Sequence, residues 1–358
     1  MNDLQSKTVV VGMSGGVDSA VSALLLKQQG YHVIGMFMKN WEEKDSDGVC
    51  QSASDYEDVV RVCDKIGIPY YSVNFSREYW DNVFAHCIEE FKKGKTPNPD
   101  VLCNREIKFK VLYERAMELG GDFLATGHYC RIGKKNGQTQ LLKGADPAKD
   151  QSYFLYMVKE QILEKVLFPI GDMIKSDVRE IARQHDLPVS EKKDSTGICF
   201  IGERKFKDFL GQYIPFQPGN FENTKGEVVG KHDGVSFYTI GQRRGLGIGG
   251  PGEAWFVVNK DVERNVVVVE QGENHPSLFS NSLTASDLTW VSSKGAPQLP
   301  HTCSSKIRYR QKDQSCTIEE IFGDSAKVTF PSPQRAITPQ QSIVFYDGDV
   351  CLGGGIIS

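Results

Sequence analysis

A serine- and glycine-rich turn, a carboxylate and two cysteines are the parts of this 358-residue sequence that could do chemistry. Val9-Val10-Val11 is an apolar β-branched run that stops at Gly12. Met13-Ser14-Gly15-Gly16-Val17-Asp18-Ser19 then leads into a helical pattern with Val17, Val21, Leu24 and Leu25 on one face. Strand, glycine turn and helix in that order point the backbone N–H groups of Gly15, Gly16, Val17 and Asp18 at one spot, where the positive end of the helix dipole favours an anion. Ser14 and Ser19 add hydroxyl donors, and the paired glycines let a ligand approach the backbone. A phosphate group fits such a cradle. A bare strand-turn-helix corner is the plainer reading, and two serines, two glycines and Asp18 in one frame weigh against it.

The first cysteine, Cys103, ends Thr96-Pro97-Asn98-Pro99-Asp100-Val101-Leu102-Cys103. Two prolines stiffen this stretch and fix where Asn98 and Asp100 point. The pattern predicts Cys103 at the mouth of a helix that carries Ile107, Val111 and Leu112 inward, where the helix start, Arg105 and Lys108 favour a thiolate. Cys199 lies in Lys192-Lys-Asp-Ser-Thr-Gly-Ile-Cys-Phe-Ile-Gly-Glu-Arg204, with glycines on both sides and lysines nearby. That composition marks a mobile electropositive loop, yet Ile198-Cys199-Phe200-Ile201 reads equally well as a core strand.

Elements must hold these groups together. The length calls for two or three domains. Strand runs at Tyr31 to Met38 and Tyr70 to Phe75 alternate with a helix at Asp55 to Ile66, which predicts a parallel sheet with helices on both faces and a ligand beyond its carboxyl ends. Two such ends, Phe37-Met38-Lys39-Asn40-Trp41 and Ala125-Thr126-Gly127-His128-Tyr129, should border a nucleotide, with adenine and ribose near Met38 and Gly127. The α/β part should run over 1–203, a small connecting domain over 204–273 and an all-β barrel over 274–358. Lys306-Ile-Arg-Tyr-Arg310 alternates, which predicts a strand with three cations on one face.

Nine cysteines without any C-x-x-C pair fit reduced thiols, and neither a disulfide framework nor a four-cysteine zinc site has the right spacing. No apolar run approaches the length of a membrane span, and the first strand begins within a few residues of Met1, so no membrane association, no signal peptide and a cytoplasmic location are expected. With a net charge of -4, any nucleic acid must bind local basic patches.

The turn lacks the lysine of a P-loop and the G-x-G-x-x-G of a dinucleotide site. It resembles the PP-loop of the N-type ATP pyrophosphatases, whose substrates attack the α-phosphate of ATP. Ser14-Gly-Gly-Val-Asp-Ser19, Phe37-Met-Lys-Asn-Trp41, Thr96 to Cys103, Gly127-His-Tyr129, Lys149-Asp-Gln-Ser-Tyr-Phe154, Asp194-Ser-Thr-Gly-Ile-Cys199 and Gly241-Gln-Arg-Arg-Gly-Leu-Gly247 occur in the order seen in the bacterial tRNA-uridine 2-sulfurtransferases, the MnmA/TrmU family. Arg244 stands where many relatives have Lys, which keeps the charge.

The resemblance implies a Rossmann-like PP-loop domain followed by a central domain and a barrel. Its implied reaction is ATP-dependent 2-thiolation of the wobble uridine in glutamate, glutamine and lysine tRNAs, with AMP and pyrophosphate released. ATP with magnesium would bind Gly12, Met13, Ser14, Gly15, Gly16, Val17, Asp18, Ser19, Met38 and Gly127. Asn98, Pro99 and Asp100 would frame the target base, Asp100 moving a proton. Cys199 would carry a persulfide supplied by a cysteine desulfurase through sulfur carrier proteins, with Cys103 as its partner thiol. His128, Lys149, Asp150, Gln151, Arg308, Tyr309 and Gln341 would contact tRNA. Two other readings stay open: a PP-loop ligase adenylating a small molecule, and a nucleotide-binding module without catalysis. Asp100, Cys103 and Cys199 could also ligate an iron–sulfur cluster.

Overall fold

The computed structural model describes residues 3–41, 51–194 and 206–358. Its first strand, β1 (Thr8–Met13), leads through the serine–glycine turn into α1 (Val17–Gln28). There follow β2 (His32–Lys39), α2 (Gln51–Ile66), β3 (Tyr70–Asn74) and, after a run of helices, β4 (Phe123–Ala125). β5 (Cys130–Lys135) and β6 (Gln138–Lys143) form a hairpin, and the two-residue β7 (Val166–Leu167) completes the first sheet, in the order β3-β2-β1-β4-β7. Every neighbour in it is parallel, as expected.

Side chains of β1 and β2 alternate between two apolar layers, so both faces of the sheet are covered. Val10, Ile34, Met36 and Met38 pack with the helical region that contains Cys103. Val9, Val11 and Phe37 pack with α1, α2 and the helix Lys175–Gln184.

The middle of the chain folds into β8 (Gly219–Glu222), β9 (Val228–His232), β10 (Trp255–Asp261) and β11 (Val266–Gln271), ordered β10-β11-β8-β9. The last part contains β12 (Phe279–Trp290), β13 (His301–Lys306), β14 (Gln314–Phe322), β15 (Ser325–Arg335), β16 (Ser342–Asp347) and β17 (Val350–Ile357). These run β12-β15-β14-β13-β16-β17, and pairing of β12 with β17 closes the barrel. Gly353 makes that closure sterically feasible. At φ +143° a side chain is strained, and a Cβ there would lie 2.1 Å from the carbonyl oxygen of Thr289.

Two features differ from the sequence reading. The β5–β6 hairpin leaves the parallel sheet and joins the barrel through β17, where Val350 lies opposite Leu142. Alternation in a six-residue hairpin arm says that a strand exists, not which sheet receives it. The strand face predicted at 306–310 is absent: β13 ends at Lys306 and the chain turns. Lys306 is buried and paired with Asp150 at 3.2 Å, and Arg310 alone of the three cations is exposed. Arg308 donates to the carbonyl oxygens of Ile240 (2.8 Å) and Ala336 (2.9 Å) and to the Thr338 hydroxyl (3.0 Å). These charges went inward because backbone carbonyls at the junction of the central unit and the barrel need donors.

Arg308 therefore acts as a clamp between units. Arg308→Ala should lower unfolding stability by about 2–3 kcal/mol, since buried acceptors lose their donor. Arg308→Lys, which keeps the charge but not the fork, should recover little of it. Urea unfolding midpoints of the three proteins measure this.

Candidate active site

The turn after β1 is held by its own serines. Ser19 Oγ accepts from the Ser14 backbone N–H at 3.2 Å, donates to the Gly16 carbonyl at 3.1 Å and lies 3.2 Å from Ser14 Oγ. Gly16 is the N-cap of α1 and supplies no side-chain cap, which leaves first-turn N–H groups for a ligand. Gly15 has a second reason beside the one its composition suggests. At φ +74° a Cβ would lie 2.5 Å from the Asp55 carbonyl oxygen, so glycine also lets the turn press on α2. Gly127 abuts the same corner: a Cβ there would sit 2.8 Å from the Ser19 backbone nitrogen.

Cations unassigned by the sequence reading converge on this corner. Lys175, its side chain only 12% exposed, bridges Asp18 Oδ1 (2.7 Å) and Asp194 Oδ1 (2.9 Å). Asp194 is also held by Lys149 (2.7 Å) and Arg179 (2.7 Å). Burial opposes its charge, but these lysines hold the Asp194 carboxyl well below the usual carboxylate range. Tyr129 donates to Asp18 Oδ1 at 2.8 Å, and burial together with Asp18 keeps the phenol protonated. Lys192 donates to the Gly15 carbonyl (3.0 Å), Asp55 (2.7 Å) and Asp58 (2.5 Å), tying the turn to α2. Lys175 and Arg179 lie fifty or more residues beyond β4 in sequence with no local pattern to mark them, whereas Lys192 belongs to the stretch whose composition reads as electropositive. At the end of β2, Asn40 is buried, and among the described residues neither Nδ2 nor Oδ1 of its carboxamide has a hydrogen-bond partner, an expensive state.

On the opposite face of the sheet, Pro99–Cys103 forms a helix capped by Asn98, whose side chain accepts from Val101 N–H at 3.4 Å. The sequence reading set Cys103 at the helix mouth; the cap at Asn98 instead places it in the second turn, from which the helix continues as a broader π-helical segment, Asn104–Leu112. Its thiol is fully buried. Arg105 pairs with Glu106 (2.7 Å) and Asp287 (3.0 Å). Asp100 stands in the first helical turn, and its charge reaches both Cys87, which burial and Asp100 push up to about 12, and Tyr309, which burial above all raises to about 12.

The residues expected around RNA divide into two groups. Lys149 joins the cation cluster, and Gln151 Oε1 accepts from Tyr129 N–H at 2.9 Å. Asp150 is buried, accepting from Gly144 N–H (3.2 Å) and Ser152 N–H (3.0 Å) as well as from Lys306. His128 is buried between Phe109 and Phe168, 2.7 Å from the Thr126 hydroxyl, and burial holds its imidazole well below its ordinary value. Tyr309 packs on Phe154 with ring centroids 4.3 Å apart, and Gln341 donates to the Thr96 carbonyl at 2.7 Å, tying the proline loop to the barrel. Met38 contributes to the apolar layer on the Cys103 side. Cys199 lies outside the described residues; Asp194, five positions before it in the chain, is the last described residue of that stretch.

The charge cluster makes a pH-dependent contribution with a fixed sign. A carboxyl whose folded pKa is depressed stabilises above its unfolded value, near pH 4, and loses that contribution as pH falls. Asp194→Asn should therefore melt below the wild-type temperature at neutral pH, with the gap closing as the solution is acidified below about pH 4. Paired thermal melts across that range check it.

Residues 7–203 match the tRNA methyl transferase HUP domain family, residues 207–271 the tRNA methyl transferase PRC-barrel domain family, and residues 280–357 the aminomethyltransferase beta-barrel domain family. The chain is 64% identical to the tRNA-specific 2-thiouridylase MnmA of Protochlamydia amoebophila over 98% of its length and 93% of the relative's. It is 57% identical to MnmA 2 of Geobacillus kaustophilus (100% and 96% covered) and 56% identical to MnmA of Bacillus subtilis (98% and 94% covered). Among solved structures it is similar to the U34-tRNA thiolase NcsA from Methanococcus maripaludis, with 19% identity, 60% and 67% coverage and a TM-score of 0.38. With relatives this similar matched along almost their whole length, the chain belongs to the tRNA-specific 2-thiouridylase family.

Proposed function

We propose that this protein is a sulfurtransferase that replaces O2 of the wobble uridine in glutamate, glutamine and lysine tRNAs with sulfur. The observation that carries this reading is the corner where the uncapped start of α1, both loop serines, Gly127 and three buried or half-buried cations meet. Backbone N–H groups there take the pyrophosphate end of ATP, and Lys175 and Arg179 offset its negative charge. The orphan carboxamide of Asn40 suits the donor and acceptor edge of a base. Among the described residues no group of three or more His, Cys, Asp or Glu is placed to hold a metal ion. In this reading magnesium enters with the ATP phosphates.

A uracil carbonyl oxygen is a poor leaving group. Attack of O2 on the α-phosphorus forms an O–P bond, expels pyrophosphate and leaves AMP on C2, a far better leaving group. The outer sulfur of a Cys199 persulfide then attacks C2, and AMP departs with the C–O electron pair. Cys103 attacks the Cys199 sulfur, breaking the S–S bond so that its electrons stay on the C2 sulfur; a Cys103–Cys199 disulfide results and needs a thiol reductant before the next cycle. Asp100 moves the proton on the base or incoming sulfur. Because Cys103 is buried, the proline loop must open when the base, flipped from the anticodon stack, arrives. A cysteine desulfurase and sulfur carriers would load Cys199.

The protein incubated with ATP, magnesium, unmodified tRNA and a sulfur donor system should yield 2-thiouridine at the wobble position by nucleoside mass spectrometry, with one AMP per thiolation. ADP as product, or AMP formed without tRNA, would sink the proposal. Cys199→Ser should accept no labelled sulfur, whereas Cys103→Ser should load sulfur but thiolate no tRNA. Iron in anaerobically purified protein, lost with either cysteine, would favour a cluster instead. Lys175→Met should raise KM for ATP roughly tenfold to a hundredfold, the worth of one charge-assisted hydrogen bond. Its tRNA affinity should stay near wild type in filter binding.

A further inference from the structure

The barrel contains a second thiol pair, remote in sequence from Cys103 and Cys199. Cys303 on β13 and Cys316 on β14 are direct register partners in an antiparallel ladder, and their sulfurs lie 3.7 Å apart. Opposed residues in such a ladder have Cα atoms about 4.5–5.5 Å apart, within the span a disulfide bridges, so small side-chain rotations join the sulfurs without moving the strands. Cys316 is completely buried, whereas Cys303 is partly exposed. The two thiols lie within sulfur hydrogen-bond distance and either can donate to the other, so each is held facing its partner. The pair thus has an outer thiol that a small molecule can reach and an inner one poised to resolve the adduct.

We propose that Cys303 and Cys316 form a reversible dithiol–disulfide site in the barrel, oxidised by small-molecule disulfides such as glutathione disulfide and independent of the sulfur-transfer thiols. Cys303 attacks one sulfur of glutathione disulfide, forming a mixed disulfide and releasing one glutathione. Cys316 then attacks the Cys303 sulfur and expels the second. Two thiols lose two protons and two electrons in all, and these appear in two glutathione molecules. A dithiol reductant reverses both steps. The bond would lock β13 to β14 in the middle of the barrel wall, and β13 runs straight into Lys306, Arg308 and Tyr309. Oxidation would therefore stiffen the segment that holds the barrel against Asp150 and Phe154.

Full-length reduced protein is titrated with glutathione disulfide, quenched with N-ethylmaleimide and mapped by non-reducing peptide mass spectrometry. The expected product is a Cys303–Cys316 cross-linked peptide that dithiothreitol removes. Cys316→Ser, lacking the resolving thiol, should accumulate glutathione on Cys303, and Cys303→Ser should take up none at Cys316. Thermal melts of both variants in reducing buffer establish that the barrel is folded. Alkylation of both cysteines in oxidised wild type, or a glutathione adduct persisting on its Cys303, would overturn the proposal. So would cross-linking of either cysteine to a different partner.

Discussion

Concentrating positive potential at one corner without destabilising the fold is the constraint that organises this molecule. First-turn N–H groups of α1 already supply a partial positive charge, and Lys149, Lys175, Arg179 and Lys192 add full ones. Without compensation they would repel one another. Asp18, Asp55, Asp58 and Asp194 stand between them, each within 3.0 Å of a cation. Were ATP bound there as proposed, it would meet cations whose geometry is already fixed, so little reorganisation would accompany binding. The same carboxylates knit α1, α2 and the helix Lys175–Gln184 to one another, which makes charge balance and packing a single requirement.

A second set of contacts unites the three units. Asp150 collects two backbone N–H groups and the Lys306 ammonium in a buried position, and Glu160 accepts from Thr139 N–H (2.9 Å) and Ser293 N–H (2.8 Å). Breaking such a buried pair by removing one partner costs more than the pair contributes, because it strands the other charge. Gln341 reaches from the barrel to the Thr96 carbonyl, and Arg308 from the barrel to the Ile240 carbonyl. The proline loop beside Cys103 is thus held from the barrel side as well as by its own helix cap.

Legibility in the sequence followed interaction range. The turn after β1, the parallel order of the first strands and the closed barrel rest on local periodicity and turn chemistry, and these were readable. Cys103 was displaced by a turn because the capping preference of Asn98 outweighs the apparent start at the cysteine. Lys306 and Arg308 read as a solvated strand face because alternation reports a face without saying what covers it, and here Asp150 and three acceptors do. Lys175 and Arg179 went unread since nothing near them in sequence distinguishes a cation that meets Asp18 or Asp194 from one that meets water, whereas Asn40 was legible only as part of a strand end. Gly15 was legible as a turn residue, but its close approach to Asp55 was not.

The β5–β6 hairpin lies within the stretch that supplies Gly127 and Lys149 to the charged corner, yet its hydrogen-bonded neighbour is β17, near the end of the chain. That arrangement interleaves the two units like clasped fingers. Replacing the barrel by simple gene fusion would remove β17 and leave β6 as a bare edge strand, an invitation to aggregation.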